Sequence, residues 1–519
     1  MIDPRVSLGP ELVPDAGTAV LDALDGVRPI IRIAHGLDPQ AGTAAGVLYS
    51  LLARLYPHTV LDGNAPMGPN PWGALTVAAL PGLLNASRPG PTRQAERDLV
   101  IAVGADIHDA DLWMGGADWT VDVGRTPRPA SGGRFGMGLQ VAAVLTAAEI
   151  SKLTLGPLGM TNVSFGDELV WNLLDYELHP ALDAPDEPLL PIRTVWFGTG
   201  SVGSSGAGAA ACVRELHGTA ETVDPDVFDP SRNPFRYPAA TGRETGPKAE
   251  WVAGILSAAS WNAHPVVGSV ADWVGRQPDP GFRGIAVSSV DRVDGRLQVA
   301  DTLSATTLTV GVGGLALHIQ REHTFDDCAC PYCQYVSVDP PMGQVEVVAN
   351  QVGLPPARVA LLYLGGELLG PEDVAGAVAA QRIRPERAGE LIGRRLDDLI
   401  RRAYAEAAVP QPGAAPASVS APYVSWMGGV FIVSELIKAA MGMPMVDRRV
   451  DLDLAGVPLG VVRRRPRDTT GNCICASPLR RRWAATMYGD QWNQTTRSSE
   501  PESTPVSLTG PASTVPTAG

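Results

Sequence analysis

The stretch RTVWFGTGSVGSSGAGAAACVRELHG, residues 193–218, decides the fold. It opens on a short apolar run, the mark of a buried strand, turns through glycines and continues as a small-residue helical run. Gly198, Gly200 and Gly203 spell G-x-G-x-x-G at the junction. There the glycines let the backbone approach a phosphate closely, and the helix N-terminus offers free N–H groups and the positive end of its dipole. The next strand, TAETVDPD (219–226), carries Asp224 near its end, where a ribose-binding carboxylate belongs. On these residues alone a nicotinamide or flavin dehydrogenase is a fair reading.

Outward from this unit the alternation continues. GPKAEWVAGILSAAS (246–260) reads as a helix, and PVVGSV (265–270), GIAVSSVD (284–291) and TLTVGVGGLALHI (307–319) as strands. SWMGGVFIVSELIKAAMG (425–442) is a further apolar helix. Upstream, PIIRIAH (29–35), TVLDG (59–63), DLVIAVG (98–104) and WTVDVG (119–124) read as strands. TAAGVLYSLLARLY (43–56) and FGMGLQVAAVLTAAEISKLTL (135–155) read as helices. The pattern predicts an α/β protein of two Rossmann-like parallel-sheet units covered by helices. Two of its long helices close in Glu-x-x-Lys, as Glu149/Lys152 and Glu435/Lys438. Either two buried helices converged on one composition, or the chain is a duplication. The first copy has the turn AHGLDPQAG, with Gly36 and Gly42 out of place, and reads as degenerate.

The chain has 519 residues, enough for several domains, with 45% hydrophobic and 18% charged residues. Its 41 Lys+Arg against 55 Asp+Glu leave a net charge of −14, which argues against a nucleic-acid or anionic-membrane partner. The N-terminus lacks the basic-then-apolar run of a signal peptide, and Glu149 and Lys152 interrupt the longest apolar segment. These features predict a cytoplasmic protein. The expected division is a degenerate unit at 1–165, a linker at 166–190 and a nucleotide-binding unit at 191–335. A helical insertion and strap follow at 336–424, including a helix at 388–407, then the end of the second unit at 425–488 and a Ser/Thr/Pro-rich disordered tail at 489–519.

Residues downstream of Asp224 change the first guess. Asn233 and Arg236 lie in SRNPFR, Lys248 follows Gly246-Pro247, and Asp291 opens DRVDGR. Two cations and a carboxylate around a glycine-cradled nucleotide suit a triphosphate with Mg²⁺ better than a hydride carrier. In this order the segments FGTGSVG, VDPD, SRNPFR, GPK and DRVDGR resemble the ThiF/MoeB-type adenylyltransferases, the superfamily of ubiquitin-like-protein activating enzymes. The resemblance covers about 190–320 and 425–480. It implies an ATP site of Gly198, Gly200, Gly203, Asp224, Asn233, Arg236, Lys248 and Asp291, with Arg236, Lys248 and Asp291 in the catalytic roles. It also implies a partner with a free C-terminal carboxylate, a ubiquitin-like protein or peptide. The chain resembles an inactive–active pair fused in one polypeptide, which implies an internal pseudo-dimer, with a homodimer as the further arrangement the resemblance allows.

The six cysteines are unevenly placed. Cys330-x-x-Cys333 and Cys473-x-Cys475 are two close pairs, and two such knuckles make a closed four-thiolate Zn²⁺ site. Cys328 is a spare member, and Cys212, inside AGAAAC, reads as a packed core residue. In the larger activating enzymes the stretch between the zinc pairs carries a thioester-forming cysteine; here residues 336–408 contain none. The expectation is adenylation without an internal thioester. The alternatives are an NAD(P)- or FAD-dependent oxidoreductase and a non-catalytic nucleotide-binding scaffold. The clusters Arg463–Arg465 and Arg480–Arg482 are either solvated surface or a docking site for an acidic partner or phosphate.

Overall fold

The computed structural model describes residues 18–160, 166–179, 186–278, 281–323, 344–380, 385–400, 420–446, 449–463 and 477–498. It also describes residues 5, 13, 329–330, 332–333, 382–383, 468, 471, 473 and 475. The first unit runs β1 (Val27–Ile33), α1 (Pro39–Ala53), β2 (Val60–Asp62), β3 (Arg97–Val103), β4 (Leu112–Ala117), β5 (Thr120–Gly124), β6 (Ala130–Ser131), α2 (Met137–Leu155) and β7 (Glu168–Asn172). The second runs β8 (Ile192–Phe197), α3 (Ser201–Ala211), β9 (Gly218–Asp224), α4 (Lys248–Ala258), β10 (Asn262–Val267), β11 (Ile285–Ser288), α5 (Val293–Asp301), β12 (Thr306–Gly313) and β13 (Ala316–His323). After an insertion with helices α6 (Gln344–Val352), α7 (Pro356–Leu364) and α8 (Pro371–Ala379), it resumes with α9 (Pro422–Ala440), β14 (Arg449–Asp453), β15 (Val462–Arg463) and α10 (Pro478–Ser498).

The two sheets share one plan. Their strand orders are β2-β1-β3-β4-β5-β7 and β10-β9-β8-β11-β12-β13-β14-β15. In each, the first strand of the unit lies between two parallel neighbours; Ile31 faces Leu61 and Ile101, and Val195 faces Glu221 and Ala286. Each then turns antiparallel, at β4–β5–β7 and at β12–β13–β14. The long helix enters between matching strands, α2 between β5 and β7 and α9 between β13 and β14. Two mostly parallel sheets with matched order and direction favour duplication over convergence.

The helices α2 and α9 join the units. Both are 19 residues long and almost wholly buried, and they belong to one hydrophobic core that includes residues from both sheets. Each hides a Glu–Lys pair one turn apart: Glu149–Lys152 at 3.3 Å and Glu435–Lys438 at 2.7 Å. Tyr176, just after β7 of the first unit, donates to Glu435 Oε1 of the second at 2.6 Å. Residues Met137–Leu158 and Pro422–Ala440 are long and apolar enough to cross a membrane, and 78% and 94% of these windows are buried inside the fold.

Several elements depart from the sequence expectation. The strand expected at 307–319 is a hairpin, because Gly314 (φ +56) allows the chain to reverse between Gly313 and Ala316. The expected linker 166–190 contains β7, whose alternate residues Leu169 and Trp171 are buried against the first sheet. The helix expected at 388–407 is a 3₁₀ segment, Pro385–Leu391, and a short helical run from 396 to 400, separated by Gly393 at φ +77. Residues 401–419 lie outside the described residues. The strap ends at 421, since Pro422 serves as the first residue of α9, where a missing N–H costs nothing. The tail expected to be disordered from 489 is helical to Ser498, with a break at Gly489; residues 499–519 lie outside the described residues. The insertion has a separate apolar core, built from Val352, Val359, Leu369, Ala377 and Leu399 among others.

Candidate nucleotide site and thiolate cluster

In the second sheet the chain starts at β8, moves outward through β9 and β10, then returns to the other side of β8 with β11. Such a reversal leaves a crevice at the carboxyl ends of the two central strands, where open α/β sheets bind ligands. The glycine turn borders it. Gly198 ends β8 at φ +83, and a Cβ there would lie 3.1 Å from the backbone of Ser289 and Val290, at the end of β11. A Cβ on Gly203 would lie 2.1 Å from Gly198 O, so only glycine lets α3 pack onto the turn. Gly200 is different: an added Cβ would meet nothing nearer than Tyr237 Oη at 3.7 Å. Gly200 is also the N-cap of the 11-residue α3, and no side chain among the described residues caps that helix. The unit thus presents a helix N-terminus without a side-chain cap, with Tyr237 Oη in van der Waals reach of a Cβ at Gly200.

The first unit does the opposite. Asp38 caps α1, accepting from Ala41 N at 2.9 Å and from Gly132 N at 2.7 Å. Its carboxylate sits at the N-terminus of α1, where α3 has no side-chain cap among the described residues.

Around the open turn the other residues converge. Asp224 ends β9, is 6% exposed, and accepts from Thr199 N at 2.6 Å and Asp226 N at 2.8 Å. Burial pushes its carboxyl up, opposed by these bonds and by Lys248. Asn233 opens the short helical turn Asn233–Arg236 and accepts from Asp229 N at 2.7 Å. Ser201 Oγ donates to Arg236 O at 2.7 Å, tying that turn to the start of α3. Lys248, the first residue of α4, pairs with Asp226 at 2.7 Å. Burial alone would lower its ammonium, yet Tyr237, Asp226 and Asp224 outweigh that and hold it above the ordinary lysine value. Tyr237 is buried and stacked on Trp251, with ring centroids 6.0 Å apart. Among the described residues, three polar atoms near the turn are buried without a protein partner: Thr199 Oγ1, Arg236 Nε and Ser288 Oγ. Orphaned groups at a crevice are what a bound ligand would satisfy.

The fold therefore gathers Gly198, Gly200, Gly203, Asp224, Asn233, Arg236 and Lys248 beyond the carboxyl ends of β8 and β9. Asp291 stands apart: it is exposed, three residues beyond β11, on the loop that leads into α5. Arg296 Nε holds that loop by donating to Val290 O at 2.9 Å. Sequence reading passed over Thr199 and Ser288, although Thr199 lies inside the glycine fingerprint and Ser288 closes a strand already recognised.

The second cluster is made of sulfur. Cys330, Cys333, Cys473 and Cys475 place their sulfurs within 4.8 Å of one another. Individual Sγ–Sγ separations are 3.4 Å (Cys330–Cys473), 3.5 Å (Cys333–Cys473), 3.7 Å (Cys333–Cys475) and 3.8 Å (Cys330–Cys333). A tetrahedral zinc with Zn–S bonds of ~2.3 Å needs S–S edges of roughly 3.8 Å, so the donor set fits that ion. Asp468 braces the second pair, accepting from Cys473 N at 2.9 Å, while its own N–H points to Cys333 Sγ at 3.4 Å. Cys328 lies outside the described residues. Cys212 is fully buried, and burial pushes its thiol up, so it is no nucleophile. Arg480 is a structural residue: it pairs with Asp301 at 2.7 Å and lies over the Tyr332 ring.

No family model matches the chain, and no curated protein matches it. Among solved structures it is similar to PaaA, with 13% identity, 52% of this chain and 71% of that one covered, and a TM-score of 0.25. It is also similar to E. coli MccB, with 10% identity, 55% and 65% covered and a TM-score of 0.32. For MccB with ATP the values are 10%, 56% and 68%, with a TM-score of 0.31. The chain thus spans about two thirds of the length of the MccB chains it matches.

Proposed function

We propose that this protein is an ATP-dependent adenylyltransferase acting on the C-terminal carboxylate of a peptide or ubiquitin-like protein. The observation that carries the reading is the uncapped N-terminus of α3, flanked by Arg236 and Lys248 and faced by Asp224. An open helix end with two added cations suits a polyphosphate. Asp224 is assigned to the ribose hydroxyls, Asn233 and Arg236 to the phosphates, and Lys248 to charge developing as pyrophosphate leaves. Asp291, on its exposed loop, is assigned to the Mg²⁺ that accompanies the nucleotide.

The substrate carboxylate would attack the α-phosphorus while the bond to the β-phosphate breaks. This asks for positioning and charge neutralisation more than for acid–base chemistry. With Cys212 sealed in the core, the acyl-adenylate would pass to an external acceptor. The thiolate cluster is assigned a structural Zn²⁺ that joins the chain after β13 to the chain before α10, closing the base of the insertion.

The test is isotope exchange between pyrophosphate and ATP, run with ubiquitin-like proteins ending in Gly-Gly and with short peptides. Exchange should require a free carboxylate and fall about a hundredfold or more in Asp291→Ala. Undiminished exchange in that variant would remove Asp291 from the site. Calorimetric ATP binding with no exchange against any carboxylate would favour the silent scaffold. Nicotinamide dinucleotide binding without ATP binding would favour the oxidoreductase.

A further inference from the structure

The segment after Arg236 is held by the first unit. Arg54, at the end of α1, is 1% exposed and sends its guanidinium across to Tyr237 O and Pro238 O, each at 3.0 Å, and to Ala240 O. Ser50 Oγ accepts from Arg54 at 2.9 Å and donates to Pro238 O at the same distance. Trp72 Nε1 also donates to Pro238 O, at 3.2 Å, and Ser87 Oγ to Ala240 O, at 3.3 Å. Four side chains of the first unit thus converge on three carbonyls of the other, those of Tyr237, Pro238 and Ala240. On its near side the same segment is pinned by Ser201 at Arg236 O.

A buried guanidinium is costly unless its donors are met; Nη2 reaches the three carbonyls and Nη1 the O and Oγ of Ser50, while Nε has no partner among the described residues. The acid facing it is Glu244, whose carboxylate is itself held by Thr241 N and Gly242 N. Tyr49 contributes a second, weaker attraction. For plain adhesion between the units an apolar side chain would serve; a single guanidinium nitrogen, Nη2, aimed at three carbonyls fixes the position of the backbone.

We propose that Arg54 is a positioning residue for the nucleotide site: through the carbonyls of 237–240 it sets where Arg236 meets the phosphates. The first unit keeps this task although Asp38 caps its own α1. The proposal rests on the nucleotide reading above, and the experiment separates the two.

In the full chain, Arg54→Ala should raise the ATP Kd about tenfold or more. Methylguanidinium, added at concentrations too low to denature, should recover most of that loss in Arg54→Ala and none in Arg236→Ala. Hydrogen exchange at the amides of 237–241 should speed up in Arg54→Ala, with the rest of α1 still protected. A folded Arg54→Ala chain with an unchanged Kd and unchanged exchange would overturn the proposal. So would a Kd loss that methylguanidinium fails to reverse. Should Arg54→Ala not fold, Ser87→Ala removes a single donor to the same segment; it should speed exchange there and raise Kd about threefold, and no change in either measurement would overturn the proposal. If the wild-type chain binds no ATP, the nucleotide reading fails, while the exchange measurement still reports on the clamp.

Discussion

Gly200 and Gly203 differ by three positions and have opposite reasons to be glycine. At 203 the missing Cβ makes room for protein, the carbonyl of Gly198. At 200 a Cβ would meet only Tyr237 Oη, at 3.7 Å, an ordinary contact. Gly203→Ala should therefore destabilise the fold by about 1–3 kcal/mol, because the turn and α3 must part. Gly200→Ala should cost less than about 1 kcal/mol, the loss of a modest cap, while weakening ATP binding about tenfold by crowding the phosphates. Thermal melts with and without ATP separate the two effects. Equal destabilisation with unaltered nucleotide affinity would mean that no ligand occupies the open side of the turn. Both glycines were legible in the sequence, since a fingerprint states its spacing. Their different surroundings were not, because these depend on Ser289 Oγ beside Gly203 and Tyr237 Oη beside Gly200, both distant in the chain.

Among the elements, the two cysteine knuckles make the clearest claim. C-x-x-C follows β13 and C-x-C precedes α10, and their sulfurs already sit at tetrahedral spacing. Elemental analysis should find about one zinc per chain. Removing it with a chelator should lower the melting temperature of the wild type to that of Cys333→Ser, and leave Cys333→Ser unmoved. A zinc-free wild type of full stability would show that the cluster does not hold a structural ion. That both pairs serve one site could be suspected from spacing, yet C-x-C departs from the usual knuckle, and only proximity joins it to Cys330 and Cys333. The hairpin at 306–323 makes the reverse point. Its apolar run looks unbroken, and one glycine with positive φ turns a single strand into two.

At the scale of the molecule the two units share a core, so they should melt together. Glu435 and Lys438 are fully buried and paired, and Tyr176 reaches Glu435 from the first unit. Glu435→Ala would leave the Lys438 charge without its partner and should cost about 3–5 kcal/mol. Hydrogen exchange read separately on β3 and β8 should show both sheets losing protection in one step, and by the same amount in this variant. Two separate transitions would mean that the interface is a contact between independent domains. The insertion, with its own apolar core, is expected to open independently.

Local spacing was enough to establish the α/β plan, the glycine turn, the order of Asp224, Asn233, Arg236, Lys248 and Asp291, and the paired cysteines. Those features depend on neighbours a few residues apart, so the chain carries them in plain order. Tertiary structure alone decided that Asp38, besides capping α1, reaches Gly132, and that Thr199, Arg236 and Ser288 carry buried polar atoms without a partner among the described residues. It alone brought Arg54 to carbonyls more than 180 positions away. A guanidinium at the end of an apolar helix has no local pattern that names its acceptors; they exist only once two sheets have folded against each other.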